Sequence, residues 1–193
     1  MSTSATGGYL SPTSAAPDED AALDDDLTEA VEGITGLPGD LVRPRWQPKP
    51  PKMPAPDIDW CAIGVADDDT TPGYPYLAHD GTAGGSSTQS TAEQMTVLAS
   101  FYGPNARAFT KLLRDGLFLD QNREQLKLKG LFFVAPGKIT AAPELIDAQW
   151  YRRYDLPLYF RRTVARTYAI LNIESASVDV SSDAPPDHLI IGT

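Results

Sequence analysis

Residues 150–166 read WYRRYDLPLYFRRTVAR, an alternation of period two that fits a long strand with two unlike faces. Successive side chains of a strand point to opposite sides. Arg152, Tyr154, Leu156, Leu158, Phe160, Arg162 and Val164 therefore share one side, which has an apolar middle and arginine at both ends. That is the pattern of a core face whose guanidinium stems reach outward at its rims. Arg153, Asp155, Pro157, Tyr159, Arg161, Thr163 and Ala165 share the other side, which suits solvent or a second subunit. Five of the chain's ten arginines lie in this run. A nucleic-acid site, a sheet whose second face meets a partner, and a solvated edge each account for them.

The charge of the whole chain weighs against the first of these. Its 193 residues carry a formal net charge of −10. Residues 1–42 hold nine acids and no lysine or arginine, while residues 57–180 hold fifteen acids and twelve bases. Non-specific nucleic-acid binding depends on Lys and Arg displacing counterions, and this balance opposes it. An acidic segment of this kind is expected to be solvated and mobile, or extended along a neighbour. Arg and Tyr are enriched at protein interfaces, so the expected partner of the second strand face is a protein.

Other segments fix the fold class. Leu27, Val31 and Ile34 recur at helical spacing and predict a short helix at about 26–36, stopped by Gly36 and Pro38. Nine of the seventeen prolines fall in the first 56 residues, and RPRWQPKPPKMPAPD (43–57) reads as an extended strap. A stiff linker crossing a surface is preferred there over a proline-rich ligand. DWCAIGV predicts a strand at 58–66, followed by a turn holding Asp67, Asp68 and Asp69 and by a flexible Gly/Ser-rich tip. In AEQMTVLASFYG, Met95, Val97, Ala99 and Phe101 share one face of a second strand, antiparallel to the first. Pro104 opens a helix with Phe109, Leu112 and Leu113 as its apolar face. Asp120 is the expected N-cap of another, ending at Gly130. LFFVAPGKI adds a strand, 143–168 a strand pair or one bent strand, and Ile173, Val178 and Val180 the last sheet-like contacts. The predicted class is α+β: a mainly antiparallel sheet with helices on one face and an extended N-terminal arm. The expected division is 1–57 (arm, helix and strap), 58–180 (domain) and 181–193 (tail).

Little in the sequence suggests catalysis. GTAGGSS lacks the Lys and Ser/Thr of a phosphate-binding loop. Consecutive carboxylates at Asp67–Asp69 point apart on an extended chain, so a solvated turn is preferred over a cation site. His79 and His188 stand apart from each other, in segments that read as mobile. A hydrolase built on His79, Asp80 and the Asp67–Asp69 turn is the remote enzymatic alternative. Cys61, alone, excludes an internal disulfide and reads as a small buried hydrophobe. MSTSATGGYL has neither the basic start nor the apolar run of a signal peptide, and no segment has the apolar length of a membrane helix. A soluble intracellular protein with no membrane partner is expected.

The strings GITGLPGDLVRPRWQPKPPKMPAP, DWCAIGV, TVLASFYGPNARAFTKLLRDGLFLDQNREQLKLKGLFFV and RYDLPLYFRRTVARTYAILNIESASVDV occur in this order. Together they resemble the neck or tail terminator proteins of tailed bacteriophages, over roughly 26–180. The resemblance implies an α+β structural protein without catalytic residues, cofactor or metal, made in the host cytoplasm and placed in the virion neck. It implies a hexameric ring that caps the tail tube, ends its polymerisation and joins the tail to the head connector or adaptor. A sheath contact follows if the tail is contractile, with DNA only as passing cargo. Another ring-forming neck or tube component, such as a head-completion or tail tube protein, is the alternative. Arg45, Trp46, Arg153, Tyr159 and Arg161 are the candidate interface residues, and Asp67, Asp68 and Asp69 the candidate lumen residues.

Overall fold

The computed structural model describes residues 2–70, 74–82, 84–146 and 148–173. It is an α+β structure in which three helices cover one face of a mixed, mainly antiparallel sheet. Helix α1 spans Asp20–Thr35, α2 Ala106–Gly116 and α3 Asp120–Leu128. The strands are β1 (Val42–Pro44), β2 (Trp60–Thr70), β3 (Tyr76–Asp80), β4 (Ser86–Tyr102), β5 (Phe132–Pro136) and β6 (Thr140–Ala141). They are followed by β7 (Glu144–Ile146), β8 (Gln149–Tyr151) and β9 (Arg153–Tyr168). The main path across the sheet is β1-β2-β4-β9-β5, with β3 added on β4 and β6 on β9; β7 and β8 form a separate hairpin. Every pairing is antiparallel except β1 with β2.

The long β4–β9 ladder sets the two faces. Met95 stands opposite Phe160, Val97 opposite Leu158, Ala99 opposite Leu156 and Phe101 opposite Tyr154. These residues join Cys61 and Ile63 of β2 and Leu23, Leu27 and Val31 of α1 in the main core. The strand parity read from 150–166 therefore holds for Tyr154 through Val164. Arg152 is the exception: it lies between β8 and β9, is exposed, and donates from Nη1 to the Pro104 carbonyl at 2.8 Å. On the opposite face, Trp60 stacks on Tyr102 with ring centroids 4.2 Å apart. Ala62 and Tyr151 complete this second cluster, with Met53 of the strap packed against it.

Several elements differ from their predicted bounds for identifiable reasons. α1 begins at Asp20, earlier than the apolar spacing suggests, because Arg162 holds the Asp18 carbonyl and the Glu19 carboxylate at its start. β2 does not turn at Asp67–Asp69; it continues to Thr70 along β4, with a bulge between Val65 and Asp67 that flips its parity. Part of the predicted flexible tip is also a strand, since β3 pairs with β4 from Tyr76↔Ser90 to Asp80↔Ser86. In α2, Leu112 is exposed while Ala106 and Thr110 are buried; the Thr110 hydroxyl satisfies itself on the Ala106 carbonyl at 2.7 Å. Asp120 is the first helical residue rather than the N-cap. Ile173 is 90 % exposed and makes no sheet-like contact. Val178, Val180 and His188 lie outside the described residues.

Two glycines are fixed by close approach. Gly103 has φ +107°, and a Cβ there would fall 2.5 Å from the Asp59 carboxylate, which itself accepts from the Asn105 backbone N–H at 2.7 Å. A Cβ on Gly116 would fall 2.4 Å from Cγ2 of Ile34, where α2 meets α1. The segment 43–57 departs from a free strap at its start, because β1 pairs with β2 and the Arg45 N–H bonds the Ile63 carbonyl at 2.8 Å. Phe160 is buried against Phe133 in the core, so Phe160→Ala is expected to cost roughly 3–5 kcal/mol in urea unfolding. A loss below 1 kcal/mol would contradict this placement.

Candidate assembly surfaces

Arginine and its partners organise both faces of the sheet. On the helix-covered face, Arg162 is buried, yet its Nε reaches Glu93 and its Nη2 reaches Glu19, each at 2.7 Å. Asp68, turned to this face by the bulge, stands 4.0 Å away. Burial works against the Arg162 charge, but the bonds to Glu19 and Glu93 outweigh it and hold its pKa above the ordinary guanidinium value. Asp68 moves up, first through burial and then through repulsion from Glu93. This cluster ties the start of α1 to β4 and β9.

On the open face, Arg153 forks onto Asp155, with Nε and Nη2 at 2.7 and 2.9 Å, and also pairs with Glu144 of β7. Its guanidinium lies over the Tyr102 ring, 5.6 Å from the centroid. Burial opposes this charge too; the hydrogen bonding of Asp155 leads the effects that raise its pKa. Asp155 also accepts from the Ser100 hydroxyl at 2.5 Å, and that hydroxyl in turn receives Nη2 of Arg45. Arg45 and Arg153, both read as interface candidates, thus meet through Ser100 and Asp155 inside the chain.

The remaining candidates separate to two edges of the sheet. Tyr159 is 43 % exposed and Arg161 is exposed, standing opposite Ala135 and Phe132 of the edge strand β5. Trp46 lies beyond β1, at the other end of the strand order, 70 % exposed with its Nε1 donating to the Val65 carbonyl at 3.3 Å. Asp67 and Asp69 are exposed on the open face opposite Thr96 and Gln94, so only Asp68 of the three is turned toward Arg162.

Where the arginines go decides between the three readings of 150–166. Arg153 and Arg162 are held by carboxylates, and Arg152 by a carbonyl. Only Arg161 and Arg166 of the run have no ion pair or hydrogen bond among the described residues. Arg153 and Arg162, neutralised by carboxylates, are not free to bind phosphate, and the acidic balance of the whole chain opposes a phosphate groove built on the rest. Sequence reasoning did not find Glu19, Glu93 and Glu144 as partners; the first two lie 143 and 69 residues from Arg162, and no local spacing connects them.

His79 is not in a mobile tip. It sits on β3, with Nδ1 2.8 Å from the Ser87 hydroxyl and Nε2 2.7 Å from Oδ1 of Asn172. Ser87 is only 3 % exposed, so the ring clips β3 and β4 to the chain leaving β9 and offers no accessible nucleophile. Among the described residues, no group of three His, Cys, Asp or Glu is disposed to hold a metal. Cys61 is fully buried, and burial pushes its thiol pKa up, as expected of an inert core cysteine. No described helix is long and apolar enough to cross a membrane.

The sequence model described as "Phage neck terminator protein" matches residues 22–184, from within α1 to beyond β9. The chain belongs to the phage neck terminator protein family. No curated protein matches the sequence. Membership makes this neck terminator a structural protein of the phage particle, one that meets other head or tail proteins.

Two measurements test the electrostatics. Arg162→Ala leaves Glu93 half-buried without its cation and is expected to cost about 3–5 kcal/mol in chemical unfolding; a neutral result would remove the cluster as a tie. Asp24 has its carboxyl raised by burial, then by Asp25 and Asp20. A folded-state pKa above the unfolded one favours the protonated form, so the cost is full at neutral pH and fades as pH falls through the raised value. Asp24→Asn is accordingly expected to be more stable than the parent at pH 7, with the gap closing in the ordinary carboxylate range. Unfolding midpoints across pH 3–8 read this directly, and a gap that widens on acidification refutes it.

Proposed function

We propose that this neck terminator forms a closed ring, a hexamer by family resemblance, at the head-proximal end of the tail tube. There it ends tube polymerisation and joins the tail to the head connector or adaptor protein, meeting the sheath as well if the tail is contractile. The supporting observation is that β1 and β5 end the sheet at two unlike edges, with Trp46 exposed beyond the first and Phe132 and Val134 about half exposed on the second. A ring subunit needs two different complementary surfaces, whereas a two-fold dimer needs one surface that matches itself. Tyr159 and Arg161 belong to one such edge, and Arg45 and Trp46 to the other. Arg153 acts by holding the open face in shape.

In this reading DNA is cargo only. Exposed Asp67 and Asp69 are the carboxylates proposed to face its path, repelling phosphate, with Asp68 excluded by its turn toward Arg162. Arg161→Glu is expected to leave unfolding unchanged and to abolish association with purified tail tubes, in contrast to the destabilised Phe160→Ala. Equal behaviour of the two variants would refute the division into core and contact faces. In a virion reconstruction the protein should form one ring at the neck; many stacked rings would make it a tube protein instead.

A further inference from the structure

Guanidinium and aromatic groups are layered on the open face of the sheet beside β1. The Arg43 guanidinium lies 5.8 Å from the Trp60 ring centroid, Trp60 stacks on Tyr102, and Arg153 lies over Tyr102. Cations are drawn to ring faces in this way. The two ends of the stack differ. Arg153 is answered by the carboxylates of Asp155 and Glu144. Arg43 donates only to carbonyls, from Nε to Asp40 at 3.0 Å and from Nη1 to Lys52 at 2.9 Å. Among the described residues its charge therefore has no carboxylate, and its Nη2 no acceptor.

Arg43, Arg45 and Trp60 line a pocket of about 280 Å³ between the strap, β2 and β7. Trp60 is only 8 % exposed. Its Nε1 is buried with no hydrogen-bond partner among the described residues, and so is Nε of Arg45, whose Nη2 is the atom that reaches Ser100. Buried N–H groups are nearly always paired, because one without an acceptor forfeits the bond it made in water. Two orphaned donors and the Nη2 of Arg43 thus belong to residues of one pocket. The local charge is positive: Arg43, Arg45 and Arg153 are set against Glu144 and Asp155. Lys49 and Lys52, exposed on the strap, have no ion pair among the described residues; Asp40, exposed just before it, is the unpaired acid nearest to Arg43 in sequence. The remaining walls are largely apolar, from Pro44, Pro50, Pro51, Met53 and Ile146.

We propose that this pocket binds an acidic side chain of a partner protein in the phage particle, its carboxylate accepting from Trp60, Arg45 and Arg43. A carboxylate supplies the acceptor oxygens that these donors lack and the negative charge that the arginines lack. The apolar walls suit the stem of an aspartate or glutamate carried on a peptide better than a bare inorganic ion. Nucleic acid is the poorer occupant, since the same open face exposes Asp67 and Asp69 and the chain carries a net charge of −10. Family membership has this chain meeting other head or tail proteins. The pocket gives one such contact its chemistry, and does so whether or not the chain closes into a ring.

The indole N–H signals of the three tryptophans test this in the ¹⁵N-labelled full chain. Trp60 is assigned by the loss of its signal in Trp60→Phe, which keeps a ring against Tyr102. Titration with capped glutamate (N-acetylglutamic acid α-amide) is expected to move the Trp60 signal saturably and to leave Trp150 in place. Capped glutamine, which lacks the charge, should move neither. Arg43→Gln, with folding checked by circular dichroism, is expected to weaken binding of the glutamate probe roughly tenfold. A wild-type Trp60 signal that does not move, or that answers both probes equally, overturns the site; this titration decides even if Arg43→Gln loosens the strap. Inorganic phosphate that binds as tightly as the glutamate probe makes the pocket a general anion site and overturns the acidic peptide. A Trp60 signal that moves with protein concentration alone assigns the acid to a second copy and overturns a separate partner. Failure here leaves the ring to stand or fall by the virion reconstruction.

Discussion

The pairing of β4 with β9 runs without a register shift from Ser87↔Tyr168 to Tyr102↔Arg153. Because side chains alternate with period two, a one-residue slip anywhere along this ladder would carry every core residue to the other face. The helices pack where they do because Met95, Val97, Phe101, Leu158 and Phe160 all emerge on one side. The same register brings Asp155 beside Ser100 and Glu93 beside Arg162, so the two charged clusters also depend on it. Strands β2 and β5 then extend the sheet from this central pair.

What the sequence revealed and what it concealed follow from the range of each interaction. Alternation is local, and it is enough to mark the buried faces of β4 and β9. Pro104 and Gly103 likewise marked the start of α2, and Gly130, with φ +77°, the end of α3. The extension of β2 through Asp67–Asp69 was not legible, since three consecutive acids read as a turn until β4 offers them a partner strand. Leu112 shows the same limit from the other side: its spacing in α2 fits the core, but the helix lies with Ala106 and Thr110 inward where it crosses the sheet.

The arginines illustrate how composition and geometry divide the argument. Five in one run suggest a basic surface, yet two of them are paired with carboxylates, Arg153 with Asp155 and Glu144 nearby in sequence and Arg162 with Glu93 and Glu19 far from it. Arg162 is the clearest case, a cation that sequence places at a rim and structure places under α1. The surfaces that survive as candidates for contact are those where charges remain unanswered within the chain. They lie at the sheet edges, whose remoteness in the fold only the strand order shows.

The N-terminal arm has a consequence of its own. β5 and β6 cover β9 only as far as Arg161, leaving the last part of that edge open. There the arm lies alongside: the Thr13 N–H bonds the Thr167 carbonyl at 2.7 Å, the Ser14 hydroxyl accepts from the Thr167 N–H, and Ser4 engages Ala169 and Leu171. A bare strand edge is a template for any passing chain. By clothing this edge with its own small polar residues, the chain occupies the Thr167 backbone groups that an added strand would need. Templated pairing along this stretch is thereby opposed within the single molecule.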